Sequence, residues 1–366
     1  MMPGRPYCCR AIRCGRYFYQ LLQETSTAVI MGLTIPTGEV LSSGDQATVS
    51  RDPAASKPGS PQVTTQTIKA GGYVHSVFHR VINFYLGSEL FALAGPEKGN
   101  AAAFIIIDLP ENINFCVLGI RQDLPVTLAG GWLRVGDALE IDCRGSIPWQ
   151  GRRPEELRWE GEGLAWANVA ALGQAISRWG TKGGVGYPAG RHNPYQPVVE
   201  LLEQLRAGLL GRGPCRRAAS AVDESNKPCY LQGLKGDRLD GAVNGLLGYG
   251  PGLTPSGDDL LLGLLAATSG GTDYQEQLAG LHRAIADNLK RTNTISAFFL
   301  GQALGGDYHE YVQEVVYAVI NGIPTQVTAM ARRLLGLGAT SGTDIARGIY
   351  LGFSWVSPGD WQAAGH

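Results

Sequence analysis

The sequence predicts an α+β protein: a β-rich N-terminal barrel or sandwich followed by a mainly helical C-terminal domain. Three observations carry that prediction. Between Gly71 and Cys143, short apolar runs are broken by turn residues at close intervals, the pattern of small antiparallel β structures. Beyond Pro154 the apolar residues adopt the helical period instead. Glycine is abundant, 51 of 366 residues, against a usual share of about 7%, so many tight turns and close backbone approaches are expected.

Taken in order, residues 1–66 are expected to be an extension and linker. The stretch 48–66 is poor in large apolar groups and rich in Pro, Ser and Thr. The β-rich domain, 67–150, has strands expected at Tyr73–Phe78, Glu89–Ala94, Ala103–Asp108, Asn114–Leu118, Pro125–Leu128 and Ala138–Cys143. The helical domain, 155–357, has helices expected at Leu164–Trp179, Val198–Leu210, Leu239–Leu247, Asp258–Ala267, Tyr274–Leu304, Tyr308–Ile320, Thr325–Leu335 and Asp344–Phe353. A Gly/Pro-rich loop, 180–197, and a polar stretch, 211–236, separate some of them.

Composition narrows the function. Hydrophobic residues make up 44% and charged residues 17%, with a net charge of −1, so there is no electrostatic footprint for nucleic acid or an anionic membrane. No run reaches about 18 apolar residues, so no membrane-spanning helix is expected. Seven cysteines (Cys8, Cys9, Cys14, Cys116, Cys143, Cys215 and Cys229) form no Cys-x-x-Cys pair. Their odd number, without a secretory signal, implies reduced thiols and a cytoplasmic location. His75 and His79 stand four apart, but no third ligand follows at a zinc spacing, and neither a metal nor a cofactor is expected. Nucleophile-elbow, Walker and Rossmann signatures are lacking.

The most informative segment is Gly248-Tyr-Gly-Pro-Gly-Leu-Thr-Pro-Ser-Gly-Asp-Asp259, which ends where the apolar run from Leu260 begins. Gly250, Gly252 and Gly257 leave main-chain N–H groups uncovered, and Thr254 and Ser256 add hydroxyls. The helix start supplies orphan N–H groups and the positive end of a dipole, which together suit an anion. Asp258 and Asp259 oppose that reading, since they repel a phosphate unless a cation offsets them. They suit a metal, or accept from an amino or amide group. Lys290 and Arg291, followed by Thr292, Asn293 and Thr294, are the candidate cation and hydroxyl shell. A solvated helix face with an incidental basic pair explains them equally well.

A weaker echo follows at Gly338-Ala-Thr-Ser-Gly-Thr-Asp344, where Ser256, Gly257 and Asp259 map onto Ser341, Gly342 and Asp344 at an offset of 85 residues, from 256 to 341. The simplest role of each motif is a capping box, with serine at the N-cap and the aspartate reaching back to it.

Three segments together resemble a known family: Val74-His-Ser-Val-Phe78, Gly250-Pro-Gly-Leu-Thr-Pro-Ser-Gly-Asp-Asp259 and Thr340-Ser-Gly-Thr-Asp344. The chain resembles the AllH-type oxamate carbamoyltransferase subunits over about residues 70–353, and the Gly250–Asp259 run is the specific part. The resemblance implies a hetero-oligomeric transferase with two other subunits, acting in allantoin and purine catabolism. That enzyme interconverts oxalurate plus phosphate with oxamate plus carbamoyl phosphate.

Carbamoyl transfer needs a phosphate cradle, donors to the carbamoyl oxygen and an acceptor for its amino group. On that basis Asp258, Asp259 and Arg291 are the candidate catalytic residues. Gly250, Gly252, Thr254, Ser256, Gly257, Thr292 and Ser341 are the candidate substrate-binding residues. The competing readings are a non-catalytic scaffold or regulatory subunit, in which the loop is only a helix junction, and an enzyme of another class binding a phosphorylated or CoA-linked ligand.

Overall fold

The computed structural model describes residues 6–31, 69–110, 113–160, 164–182, 184, 204, 206, 237–271 and 275–356. The chain forms two units, residues 1–96 with 103–148, and residues 97–102 with 149–366. The expected linker at 48–66 and polar stretch at 211–236 lie outside the described residues, as does almost all of the expected helix at 198–210.

The first unit is an eight-stranded β-barrel. Its strands are β1 (Tyr7–Gly15), β2 (Lys69–Val77), β3 (Val81–Leu86), β4 (Glu89–Ala94), β5 (Phe104–Ile107), β6 (Pro125–Ala129), β7 (Trp132–Val135) and β8 (Leu139–Asp142). Neighbours run β5-β4-β3-β2-β6-β7-β8-β1, and antiparallel pairing of β1 with β5 closes the ring. A short β9 (Ile147–Trp149) adds to β1.

Closure removes the open strand edges that a sandwich of this size would expose. Residues 7–15, placed by sequence in the extension, are thus an integral strand: Tyr7–Arg10 pairs in parallel with β8, and Ala11–Cys14 pairs with β5 across a bulge. The β6–β7 hairpin turns on Gly130 and Gly131, both at positive φ (57° and 79°), as a two-residue turn of matching twist requires. Alternate residues fill the interior, among them Val126, Leu128, Leu133, Val135, Leu139 and Ile141. The helix α1 (Arg16–Met31) sets Phe18 edge-on against Phe91 of β4, ring centres 5.6 Å apart.

The segment Asn114–Leu118, expected as a strand, is instead a 3-10 turn at Phe115–Val117. The Asn114 side chain accepts from the Cys116 N–H at 2.9 Å, and this local bond outcompetes a ladder. The strand β3 was not expected, because Ile82, Asn83 and Phe84 are all buried and leave no polar alternation to detect.

The second unit is helical: α2 (Trp166–Trp179), α3 (Asp237–Leu246), α4 (Ser256–Thr268), α5 (Gln275–Asn288), α6 (Thr294–Leu304), α7 (Glu310–Asn321), α8 (Pro324–Leu335) and α9 (Ser341–Val356). The single helix expected at 274–304 is broken after Asn288. Asn293 caps α6 by accepting from the Ser296 N–H at 3.0 Å, so the chain restarts there.

At the centre of this unit α4 and α9 run parallel in near-backbone contact. A Cβ on Gly263 would lie 2.0 Å from the Ile345 carbonyl oxygen, and one on Gly348 would lie 2.1 Å from the Leu260 oxygen. Each residue of one pair is the 85-residue counterpart of one in the other, so a local two-fold axis relates the two helices. The turns leading into them are related as well. Gly257 N–H donates to the Tyr249 oxygen and Gly342 N–H to the Leu337 oxygen, both at 2.9 Å, and each glycine packs on the backbone of a preceding helix, at Leu246 and Leu334. No helix among the described residues is long and apolar enough to cross a membrane.

Candidate ligand site at the paired helix starts

The two Ser-Gly-x-Asp turns meet. Thr254, in the loop before α4, and Ser341, the first residue of α9, join their hydroxyls at 2.8 Å. Neither turn is a capping box. The N-cap of α4 is Pro255, which carries no side-chain acceptor, and Ser256 is already helical and buried. Ser341 spends its hydroxyl on Thr254, and its helix start is closed by the Thr340 carbonyl, which accepts from the Thr343 and Asp344 N–H groups. The proline explains the difference, since it presets an extended conformation at the cap and has no N–H for a carboxylate to satisfy.

The loop itself is held open by glycine. Gly248, Gly250 and Gly252 have φ of 74°, 104° and 105°, conformations that side chains disfavour. Gly252 and Leu253 are exposed, whereas Gly257 is buried with its N–H committed to Tyr249. Gly257 therefore serves close packing as the structure stands.

Three buried carboxylates gather here, each in a different environment. Asp258 accepts from the Gly248 N–H at 2.8 Å and from the Thr292 hydroxyl. Burial raises its proton affinity above the usual 3.8, while the Thr292, Gly248 and Ser296 contacts favour the charged form. Asp344 is wholly buried and pairs with Arg347 one turn on, Nη1 to Oδ1 at 2.9 Å. Asp259 is 4% exposed, and its Oδ2 has no hydrogen-bond partner among the described residues. Burial pushes its pKa up to about 8, the Asp344 and Asp258 charges add to this, and the Ser341 and Thr254 hydroxyls oppose it.

The segment after α5 is drawn against the same loop. The Arg291 carbonyl oxygen lies 2.9 Å from where a Cβ on Gly248 would stand, and Thr292 holds Asp258. The Arg291 side chain is exposed and makes no hydrogen bond or ion pair among the described residues. The structure therefore brings Asp258, Asp259, Thr254, Ser256, Ser341 and Thr292 together, with Arg291 beside them.

Sequence reasoning missed the other flank. Position 343, the counterpart of 258, is a threonine, and its hydroxyl meets both the Thr181 N–H and the Thr181 hydroxyl at 3.1 Å. The Arg347 guanidinium also reaches the Thr181 carbonyl at 3.4 Å. Gly184 packs on the Asp344 carboxylate, and exposed Lys182 lies between Thr181 and Gly184 in sequence. The available signal was the Gly180-Thr-Lys-Gly-Gly184 run, a second Gly-rich segment with a hydroxyl and a cation. Among the described residues no group of three or more His, Cys, Asp or Glu is placed to hold a metal.

The family model described as oxamate carbamoyltransferase subunit AllH matches residues 246–353, spanning both turns and both helices of the pair. The AllH family N-terminal domain matches residues 55–148, which contain most of the barrel. The chain belongs to the AllH family. Its AllH region begins at Leu246, the residue on which Gly257 packs, and ends at Phe353, near the end of α9. The family description makes the chain one subunit of a larger assembly. No solved structure matches the chain.

Proposed function

We propose that this chain is a catalytic-site subunit of an enzyme that interconverts oxalurate plus phosphate with oxamate plus carbamoyl phosphate. It works in allantoin and purine catabolism, in the cytoplasm, with two other subunits. The observation that carries the reading is the meeting of the two helix starts at Thr254 and Ser341, with Arg291 and Thr292 against the same loop. All four participants in the reaction are anionic. Two parallel helix N-termini side by side provide about half a positive charge each, and Arg291 adds a planar fork suited to carboxylate or phosphate.

A non-catalytic subunit would need the same close helix packing, and Gly257, Gly263, Gly342 and Gly348 are explained by packing alone. Arg291 distinguishes the two readings, because an exposed arginine beside the loop contributes nothing to that packing.

The test is phosphorolysis of oxalurate by the full chain, alone and with its two partner subunits, followed by carbamoyl phosphate formation. Activity in the mixture that disappears in Arg291→Ala, with assembly intact, supports the reading. Full activity of an assembly carrying Arg291→Ala refutes the catalytic assignment.

A further inference from the structure

Of the three buried carboxylates, only Asp259 lacks a strong compensating partner. Asp258 has a main-chain N–H and a threonine hydroxyl, and Asp344 has the Arg347 guanidinium. Asp259 lies in the first turn of α4 with one oxygen that nothing among the described residues satisfies. The charged groups acting on it are Asp344 from α9 and Asp258 from its own helix, both carboxylates. No basic side chain is paired with it among the described residues; Arg347, on the facing helix, is engaged by Asp344.

A charged carboxylate in that position would be buried, half-satisfied and repelled from two sides. The neutral acid removes the repulsion and most of the desolvation penalty, and it converts Oδ2 from an idle acceptor into a donor. We propose that Asp259 is held as a neutral carboxylic acid, and that it donates a hydrogen bond from Oδ2 to a carboxylate or phosphate oxygen of the ligand bound between the starts of α4 and α9. This rests on the ligand site being there and deepens it. The carboxyl recognises the oxyanion directly, the reverse of accepting from the carbamoyl amino group.

The surroundings agree with that polarity. An arriving oxyanion meets two helix N-termini and a proton donor, while Asp258 and Asp344 are held by their own partners. The rise of the Asp259 pKa to about 8 keeps the proton in place at neutral pH. The stretch Pro251–Leu253 is exposed, with Gly250 and Gly252 at positive φ, and it leads directly into the Thr254–Ser341 contact beside the carboxyl.

The experiment is calorimetric binding of oxamate, which does not titrate near neutrality, and separately of inorganic phosphate. It uses the full chain, alone and in the reconstituted complex, with wild type, Asp259→Asn and Asp259→Ala. The asparagine amide keeps a neutral donor, so Asp259→Asn binds oxamate within about threefold of wild type, whereas Asp259→Ala loses about tenfold or more. Wild-type oxamate affinity falls by roughly tenfold per pH unit above about pH 8, while Asp259→Asn shows no such fall. Circular dichroism and melting of each variant separate lost binding from lost folding.

Infrared difference spectra give a reading that needs no ligand: a protonated-carboxyl band at neutral pH in wild type that Asp259→Asn lacks. The proposal is overturned if that band is absent, if folded Asp259→Asn binds no better than Asp259→Ala, or if wild type binds neither anion in either form. The first two results leave carbamoyl transfer by the complex untouched, whereas the third counts against the ligand site itself, and the phosphorolysis assay tells the two failures apart.

Discussion

Substituting Gly348 with alanine is expected to force α4 and α9 apart. The new Cβ would lie 2.1 Å from the Leu260 oxygen, 2.8 Å from the Leu264 nitrogen and 3.0 Å from the Gly263 Cα. Ordinary contact begins at 3.4 Å, so the helices must separate by about 1.3 Å along the worst contact. Every obstructing atom is backbone, and no rotamer change can relieve it. Separation also loosens Ile345, Ala346 and Ile349 of α9 against Leu264 and Ala267 of α4, all of them buried. Overpacking in a filled core usually destabilises by about 1–3 kcal/mol, and rigid obstruction places this case near or above the upper end, about 3 kcal/mol.

Helix propensity acts the other way, since alanine is better than glycine in a helix by about 1 kcal/mol. Gly301 supplies the control. It is exposed in α6 with nothing within 4 Å of its Cβ position, so Gly301→Ala should be neutral or stabilise by up to about 1 kcal/mol. Urea unfolding followed by the helical far-ultraviolet signal compares the two variants with wild type. A Gly348→Ala protein as stable as Gly301→Ala would refute the close crossing, and with it the placing of the two helix starts side by side.

Four further outcomes follow from particular contacts. Because the Asp259 pKa is raised above its unfolded value, the folded state holds an extra proton between about pH 4 and about pH 8, and wild type loses stability as pH rises through that window. Asp259→Asn should remove this dependence and gain a few kcal/mol over wild type above about pH 8; a melting difference that is the same at low and high pH would argue against it. Thr292→Val leaves a buried Asp258 oxygen without its hydroxyl and should destabilise by about 1–3 kcal/mol in urea titrations, with Thr292→Ser restoring most of the loss. Asn168 donates to the Val319 and Gly322 carbonyls at 3.0 and 2.9 Å, closing the end of α7, so Asn168→Ala should cost about 1–2 kcal/mol by the same measurement. Arg291→Ala should leave the unfolding free energy within about 0.5 kcal/mol of wild type, while turnover by the assembled complex drops at least about tenfold.

The helices were legible because their apolar positions recur at the helical period over ten or more residues, as in Glu310–Asn321 and Pro324–Leu335. Barrel strands were legible as short apolar runs between turn residues, whether alternating, as in Leu139–Asp142, or covered on both faces, as in Glu89–Ala94, while Val81–Leu86 and Trp132–Val135 were missed. The first strand was hidden for another reason. Arg10, Arg13 and three cysteines do not resemble a strand, and only closure of the ring gives Tyr7–Gly15 its partners. In the site, glycine and hydroxyl density marked the 248–259 loop, but the roles within it depend on tertiary contacts. Ser256 and Ser341 looked alike in sequence; one is buried inside its own helix start and the other reaches across to the opposite loop. Thr181 joined the site only through the fold, 162 residues from its partner Thr343, whereas Arg347 stands one helical turn from Asp344.

That dependence on placement resolves the electrostatic objection raised by the sequence. By count, an anion beside Asp258, Asp259 and Asp344 faces three negative charges. By position, Asp258 is turned into the Gly248 and Thr292 contacts, Asp344 is matched by Arg347, and Asp259 is discharged by its own burial. What remains at the paired helix starts is the positive end of two helices, about one unit of charge in total, with Lys182 and Arg291 exposed on the segments that clasp them. The local two-fold gives each helix its own threonine clasp, Thr292 at position 258 and Thr181 at position 343. The carboxylate at 258 and the threonine at 343 break that symmetry, so the two helix starts present different faces. The proposed reaction moves one carbamoyl group between two unlike anions, and two helix starts that are not interchangeable suit such a pair.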